Sequence, residues 1–410
     1  MPSPFAIFAA FGLAALVAAL ATPMVGRLAL AMGVVDRPNE RKVSRRDRMP
    51  LLGGFAVALG FFVGMAAALI LVPPDEPLTS LEALYVGGGL MLIVGAWDDR
   101  YGLGAVAKLG AQLLAAAVAI RFGFGIDHVT EPITRTVFIF PPWLSWASTT
   151  LWIVLVTNSI NLIDGLDGLA AGVSAIIATT LTVIAWQGGH VPGVLIGVAL
   201  VGALLGFLPF NFPPARIFAG DTGALFIGYA LALLALEGYQ RITVLTFIVP
   251  LLALAVPLLD TGLSILRRLR RGGHIMQADR QHMHHRLLDV EGSHRPAVLS
   301  LYFLTACFCI IAVSFTRLHG VASLIFLVVV AVLTVRILRN LGLFDPTEPL
   351  SSVASAPQQE EAAGGAADGA EQDAAGEAER MAAPGPRETV SLGAARPLAR
   401  EAREAGGGPQ

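Results

Sequence analysis

The chain has 410 residues, is 55% hydrophobic and only 14% charged, with a mean hydropathy of +0.69. Soluble domains carry about 25% charged residues, so the composition argues against a soluble globular enzyme and for an all-α, polytopic integral membrane protein. The formal net charge of −2 hides an asymmetry: from Asp345 onward there are 12 acidic residues against 5 arginines, giving a tail of −7 and a body of +5. A basic body suits an anionic membrane face or an anionic substrate, and the excess is too small to argue for nucleic acid.

A membrane-spanning helix needs about 20 mostly apolar residues. Eleven stretches are predicted to span, at 5–26, 51–72, 81–97, 104–122, 147–163, 168–186, 191–210, 222–236, 242–266, 297–316 and 319–338. The lead-in MPSPF lacks the positive charge of a signal peptide, so the first stretch reads as a retained helix. Arginine and lysine crowd the loops after spans 1 and 9, while the alternate loops hold only Arg135, Arg241 and Arg317. By the positive-inside rule the N-terminus lies outside and the C-terminus in the cytoplasm. Residues 1–340 form the expected transmembrane domain. Residues 345–410, rich in Ala, Gly, Glu and Pro, are expected to be a disordered acidic cytoplasmic tail. Cys307 and Cys309 sit two apart in an apolar run and read as small hydrophobes.

Carboxylates are costly in bilayers, and nearly all of those in the body fall at the cytoplasmic ends of spans. The first cluster in chain order is GAWDDR, with Asp98 and Asp99, where two like charges at a helix C-terminus oppose the helix dipole and call for a cation. The second is NSINLIDGLDGLAAG, where Asn158, Asn161, Asp164 and Asp167 recur at a spacing of three; Asp167 alone could be explained as a helix N-cap. The third is NFPPARIFAGDTGALFIG, where Asn211, Arg216 and Phe218 precede Asp221. Asp221 could also be an N-cap, or could hold Mg²⁺ bridging to phosphate. The fourth is DRQHMHHRL, with His282, His284, His285 and Arg286, suited to phosphate or sugar hydroxyls. Carboxylates for a divalent cation, with Arg and His for phosphate, are the equipment of phosphoryl transfer. The adjacent apolar helices suit a lipid acceptor.

At these residues the chain resembles the polyprenyl-phosphate N-acetylhexosamine-1-phosphate transferases, a group related to the phospho-MurNAc-pentapeptide translocase. The resemblance covers roughly residues 30–290 and is carried by NLIDGLDGLAAG and DRQHMHHRL, with DDR and GDTG in the expected order. It implies that a polyprenyl phosphate, expected to be undecaprenyl phosphate, attacks the β-phosphorus of a UDP-N-acetylhexosamine. The products would be polyprenyl-diphosphate-sugar and UMP, with Mg²⁺ or Mn²⁺ as cofactor. By the same resemblance Asp98 and Asp99 fall on the family's acidic pair, Asp98 being placed to deprotonate or orient the lipid phosphate. Asp221 falls on the metal ligand and counts with the pair as catalytic. Asn161, Asp164 and Asp167 fall on the nucleoside-side motif, Phe218 on a position that stacks uracil, and Asn211 on another position near the site. His282, His284, His285 and Arg286 would meet phosphate or sugar, and Arg46 the lipid phosphate. Asp260 matches a family position of no derivable role.

The His-x-His-His-Arg form and VDRPNERK at 35–42 resemble the N-acetylglucosamine branch, whose members have eleven spans. UDP-GlcNAc is therefore the favoured donor, with another UDP-aminosugar or UDP-MurNAc-pentapeptide as the alternative. Two departures stand out: Ser44 or Arg45 replaces a usual histidine, and GHIM at 273–276 replaces a K-S-P-F-like stretch. The expected setting is the cytoplasmic face of a bacterial inner membrane, at the first membrane step of a surface polysaccharide such as lipopolysaccharide O-antigen, with a homodimer as the assembly. A secondary transporter is the reading from another class, but transporters place such carboxylates near the midplane, and only Asp260 lies at depth.

Overall fold

The computed structural model describes residues 2–36, 49–73, 79–130, 136–237, 244–270, 282–318 and 321–340. All belong to a unit spanning Met1–Leu343; the predicted tail and Arg46 lie outside the described residues. The helices are α1 (Pro4–Met32), α2 (Gly53–Leu71), α3 (Thr79–Tyr101), α4 (Ala105–Arg121), α5 (Pro142–Ile163), α6 (Leu169–Gly188) and α7 (Val191–Asn211). They continue as α8 (Gly220–Glu237), α9 (Val244–Ala253), α10 (Ala255–Arg270), α11 (Met283–Glu291), α12 (His294–Phe315) and α13 (Val321–Asn340). Two short antiparallel ladders, absent from the all-α expectation, join β1 (Val35–Asp36) to β2 (Met49–Pro50) and β3 (His128–Thr130) to β4 (Val137–Ile139).

Eight of these helices, α1–α3, α5–α8 and α12, are long and apolar enough to cross a membrane, so the protein is a polytopic membrane protein. The predicted span 104–122 forms the 17-residue α4, and 319–338 forms α13. The predicted span 242–266 is not one straight rod. It divides into α9 and α10 at Leu254, between Pro250 and Pro257. Pro257 has no N–H to give the carbonyl of Ala253 one turn earlier. That carbonyl instead accepts the Cys309 thiol at 3.8 Å, which gives the buried cysteine a task beyond filling space.

At the centre stands α8, whose residues are all buried except Asp221. A helix that is apolar all round is one surrounded by protein, and α2, α3, α5, α6 and α7 surround it. The outer helix α1 follows a different rule. Its buried residues repeat every fourth position, Ala6, Ala10, Ala14 and Ala18, while Phe5, Phe8, Leu16, Leu20 and Met24 are exposed. The alanine stripe meets Gly60 and Gly64 of α2 and Gly202 of α7, and the neighbouring Ala15 meets Gly206, so closely that a methyl group on any of these glycines would strike the backbone or the alanine methyls of α1. Small residues allow this backbone approach, and close van der Waals packing drives helix association where lipid removes the hydrophobic contrast. Exposed Trp97 and Tyr101, with rings 5.0 Å apart, sit at the end of α3; exposed Trp143 and Trp146 sit at the start of α5, at the other end of the bundle. Such aromatic belts mark the two membrane interfaces.

Candidate active site

One end of the bundle gathers the C-termini of α1, α3, α5 and α7 and the N-termini of α2, α4, α6 and α8. The joints are explicit: Arg100 Nη1 donates to Met32 O at 2.7 Å, and Gly53 N and Gly54 N donate to Phe218 O and Ala219 O, both at 3.0 Å. Here the last turn of α3 delivers Asp98 and Asp99, two anions at the negative end of a helix. The structure resolves the conflict by dividing their work.

Asp99 turns to α8. One carboxylate oxygen accepts Asp221 N at 2.8 Å; the other accepts Thr222 N at 3.1 Å and Thr222 Oγ1 at 2.6 Å. An acceptor for the orphan amides of a helix start usually comes from that helix's own N-cap residue; here it comes from α3. Gly220 lets it in: its φ is +69°, and the Asp99 carboxylate fills the space that a side chain at 220 would need.

Asp98 turns to α4. Its side chain is only 4% exposed; it accepts Leu103 N and pairs with the Lys108 ammonium. Lys108 Nζ also donates to Asp221 Oδ2 at 2.9 Å, and the other Asp221 oxygen accepts Asn161 Nδ2. One turn deeper, Gln112 and Asn158 exchange amide hydrogen bonds at 3.2 and 2.6 Å. Positions 108 and 112 lie one turn apart on α4, and 158 and 161 one turn apart on α5, so two facing helices form a polar ladder that ends at Asp221. The Asp221 side chain is 30% exposed, the most open of the three charged groups. The geometry rules out Asp221 as the N-cap of α8, since Asp99 does the capping.

The remaining expected residues hold the surroundings in place. Asp167 does not cap α6; its Oδ2 accepts Ala215 N at 2.9 Å across the 212–219 loop. Asn211 is buried and donates from Nδ2 to Ile217 O at 2.9 Å, closing the same loop from inside. Phe218 is half-buried, its N–H donating to Pro50 O at 3.0 Å. Asp164 lies half-buried at the end of α5, in the turn that leads to Asp167. His282 is buried, its Nδ1 3.1 Å from Asp260 Oδ2, while Asp260 Oδ1 accepts Met283 N at 2.6 Å. Asp260 therefore pins the start of α11 to α10, next to a small cavity that Ile163 and Leu169 also line at the ends of α5 and α6. His284 and His285 lie on α11 with side chains outside the described residues; Arg286 is half-buried on the same helix.

Lys108, Gln112, Tyr302 and Arg295 stand outside the four polar clusters of the sequence. Tyr302 Oη donates to Gly168 O at 2.5 Å, and Arg295 Nε to Pro213 O at 2.7 Å. Lys108 left a legible signal: it is one of only two lysines in the chain and stands inside an apolar helix, where a cation is a functional suspect. Tyr302 and Arg295 left none, because their partners are backbone carbonyls.

Chemically, Asp98 and Asp221 converge on one cation position, filled by an ammonium group. Among the described residues no three His, Cys, Asp or Glu side chains gather as metal ligands. Two carboxylates do suit Mg²⁺, which uses one or two together with water and substrate phosphates. Asp99, with its oxygens committed to α8, is not part of that donor set.

The fold and this cluster define a membrane-embedded protein with a polar, carboxylate-rich site at one end of its helices. Residues 81–239 match the family described as Glycosyl transferase family 4. A probable undecaprenyl-phosphate N-acetylglucosaminyl 1-phosphate transferase of Bacillus subtilis (strain 168) is 39% identical over 308 residues, covering 75% of this chain and 84% of that protein. A decaprenyl-phosphate N-acetylglucosaminephosphotransferase of Mycolicibacterium smegmatis is 37% identical, over 70% of this chain and 77% of its own length. A phospho-N-acetylmuramoyl-pentapeptide-transferase of Shouchella clausii is 32% identical, over 57% and 74%. The chain belongs to glycosyl transferase family 4, among the polyprenyl-phosphate N-acetylhexosamine-1-phosphate transferases.

Proposed function

We propose that the protein transfers N-acetylhexosamine 1-phosphate, GlcNAc 1-phosphate in the first place, from the UDP-sugar to undecaprenyl phosphate and releases UMP. The observation that carries this reading is the convergence of Asp98, Lys108, Asn161 and Asp221 where four helices end at a membrane interface. Relatives named for the same acceptor and sugar support it. The arginine-rich segments 27–48 and 267–295 flank helix ends on the site's side, which supports a cytoplasmic site in a bacterial inner membrane and the eleven-span topology.

In this reading a phosphate oxygen of the lipid attacks the β-phosphorus of the donor, and the bond from that phosphorus to the bridging oxygen breaks as UMP leaves. Mg²⁺, held by Asp221 with Asp98, would supply charge neutralisation at the diphosphate. The protein's own part is positioning and electrostatics. Asp98 orients the attacking phosphate or takes its proton. Lys108 balances the two carboxylates and offers its ammonium to phosphate oxygens. Asn161 fixes Asp221, and Asp99 fixes the backbone beneath it. Asp167 and Phe218 hold the 212–219 loop beside the nucleotide, and α11, pinned through Asp260 and His282, brings His284, His285 and Arg286 to the sugar and phosphates.

The test is UMP release by purified protein in detergent with undecaprenyl phosphate, Mg²⁺ and, separately, UDP-GlcNAc, UDP-GalNAc and UDP-MurNAc-pentapeptide. Lipid-dependent UMP from UDP-GlcNAc alone is the expected result. UMP from another donor would overturn the sugar assignment, and none from any donor with folded protein would overturn the reaction.

A further inference from the structure

A groove of about 600 Å³ opens beside the 212–219 loop, lined by Leu205, Leu208, Pro209 and Phe212 together with Arg216 and Arg295. Leu205 is 42% exposed near the end of α7, so the apolar wall opens outward from the bundle. Both arginines are exposed, and neither makes an ion pair with a carboxylate among the described residues. Arg295 Nε is held by Pro213 O at 2.7 Å, which fixes that guanidinium at the groove edge. Among the described residues Arg216 is tied through its backbone alone, its N–H donating to Phe210 O at 2.8 Å. Two guanidiniums with no carboxylate partner among the described residues, lining a partly apolar groove at one end of the bundle, present the complement of an anionic headgroup above acyl methylenes. The volume is in the range of small-molecule sites and exceeds the needs of a free phosphate ion.

We infer that this groove binds an anionic phospholipid of the surrounding bilayer, with its phosphate between Arg216 and Arg295 and its upper chain along Leu205, Leu208 and Phe212. The occupant is separate from the reacting lipid of the Asp98–Asp221 cluster. It would brace the same loop that Asp167 holds, since Pro213 meets Arg295 and Ala215 meets Asp167. Binding is read without turnover, so this inference and the proposed reaction fail independently.

The experiment uses the full chain in detergent, mixed with phosphatidylglycerol or phosphatidylcholine, with retained lipid counted by native mass spectrometry. The wild type is expected to retain phosphatidylglycerol about tenfold better. Arg216→Glu, at an exposed side chain with only backbone ties, is expected to erase the preference, and Arg216→Lys to keep most of it. Asp221→Asn is expected to keep it in full. Undiminished preference in Arg216→Glu would overturn the inference. So would its loss in Asp221→Asn, which would put the lipid at the catalytic cluster. Displacement of phosphatidylglycerol from the wild type by millimolar inorganic phosphate would show a free-anion site instead.

Discussion

The carboxylate of Asp99 on α3 accepts both the backbone N–H and the hydroxyl of Thr222 on α8, at 3.1 and 2.6 Å. One side chain thus fixes the height and rotation of the helix that carries Asp221. Thr222→Val removes only the hydroxyl bond and is expected to cost about 1 kcal/mol. Asp99→Ala strips the acceptor from three donors and is expected to cost about 2 kcal/mol or more, and to lower kcat because Asp221 is no longer held. Thermal unfolding in detergent ranks the two; equal melting temperatures for Asp99→Ala and the wild type would refute the capping role.

Asp221→Asn is expected to abolish turnover at ordinary Mg²⁺, because a hard cation loses a charged oxygen ligand. The measurement is initial rate against Mg²⁺ concentration. A near-normal rate would remove Asp221 from the metal site.

Lys108→Gln leaves Asp98 and Asp221 facing a position with no ammonium in it. Turnover is expected to fall by about two orders of magnitude. Mg²⁺ affinity is expected to rise, because the competing cation is gone. Mg²⁺-dependent thermal stabilisation reads that affinity without catalysis, and a weaker Mg²⁺ response in the variant would contradict the shared cation position.

Gly206→Leu on α7 forces a side chain against the backbone of α1 at Ala15. The expected cost is about 1–3 kcal/mol, seen as a lower melting temperature with KM unchanged in the protein that remains folded. No shift would mean that α1 gives way freely.

Deletion of residues 350–410 is expected to leave UMP release intact, since every residue assigned to the cluster lies within Met1–Leu343. A large loss would make the tail part of the site.

Much of this was legible in the sequence. The apolar runs gave the helices, because a chain in lipid has few other ways to satisfy its backbone, and the carboxylate positions gave the end of the bundle where the cluster forms. The division of labour between Asp98 and Asp99 was not legible. Adjacent residues in one string look equivalent until the fold shows that one meets α4 and the other α8. The role of Asp260 was hidden for a related reason, since its partners, His282 and the Met283 amide, come 22 and 23 residues later. The break at Leu254 could have been read from Pro250 and Pro257, but hydropathy outweighs two prolines in a long apolar window.

The burial of α8 also bears on how the protein is made. The helices that enclose it, α2, α3, α5, α6 and α7, all precede it in the chain. During synthesis its socket is therefore already in the membrane when α8 leaves the ribosome. The segment carrying Asp221 can pass directly from the insertion machinery into protein, and the Asp98–Lys108–Asn161–Asp221 cluster needs none of α9–α13 to form.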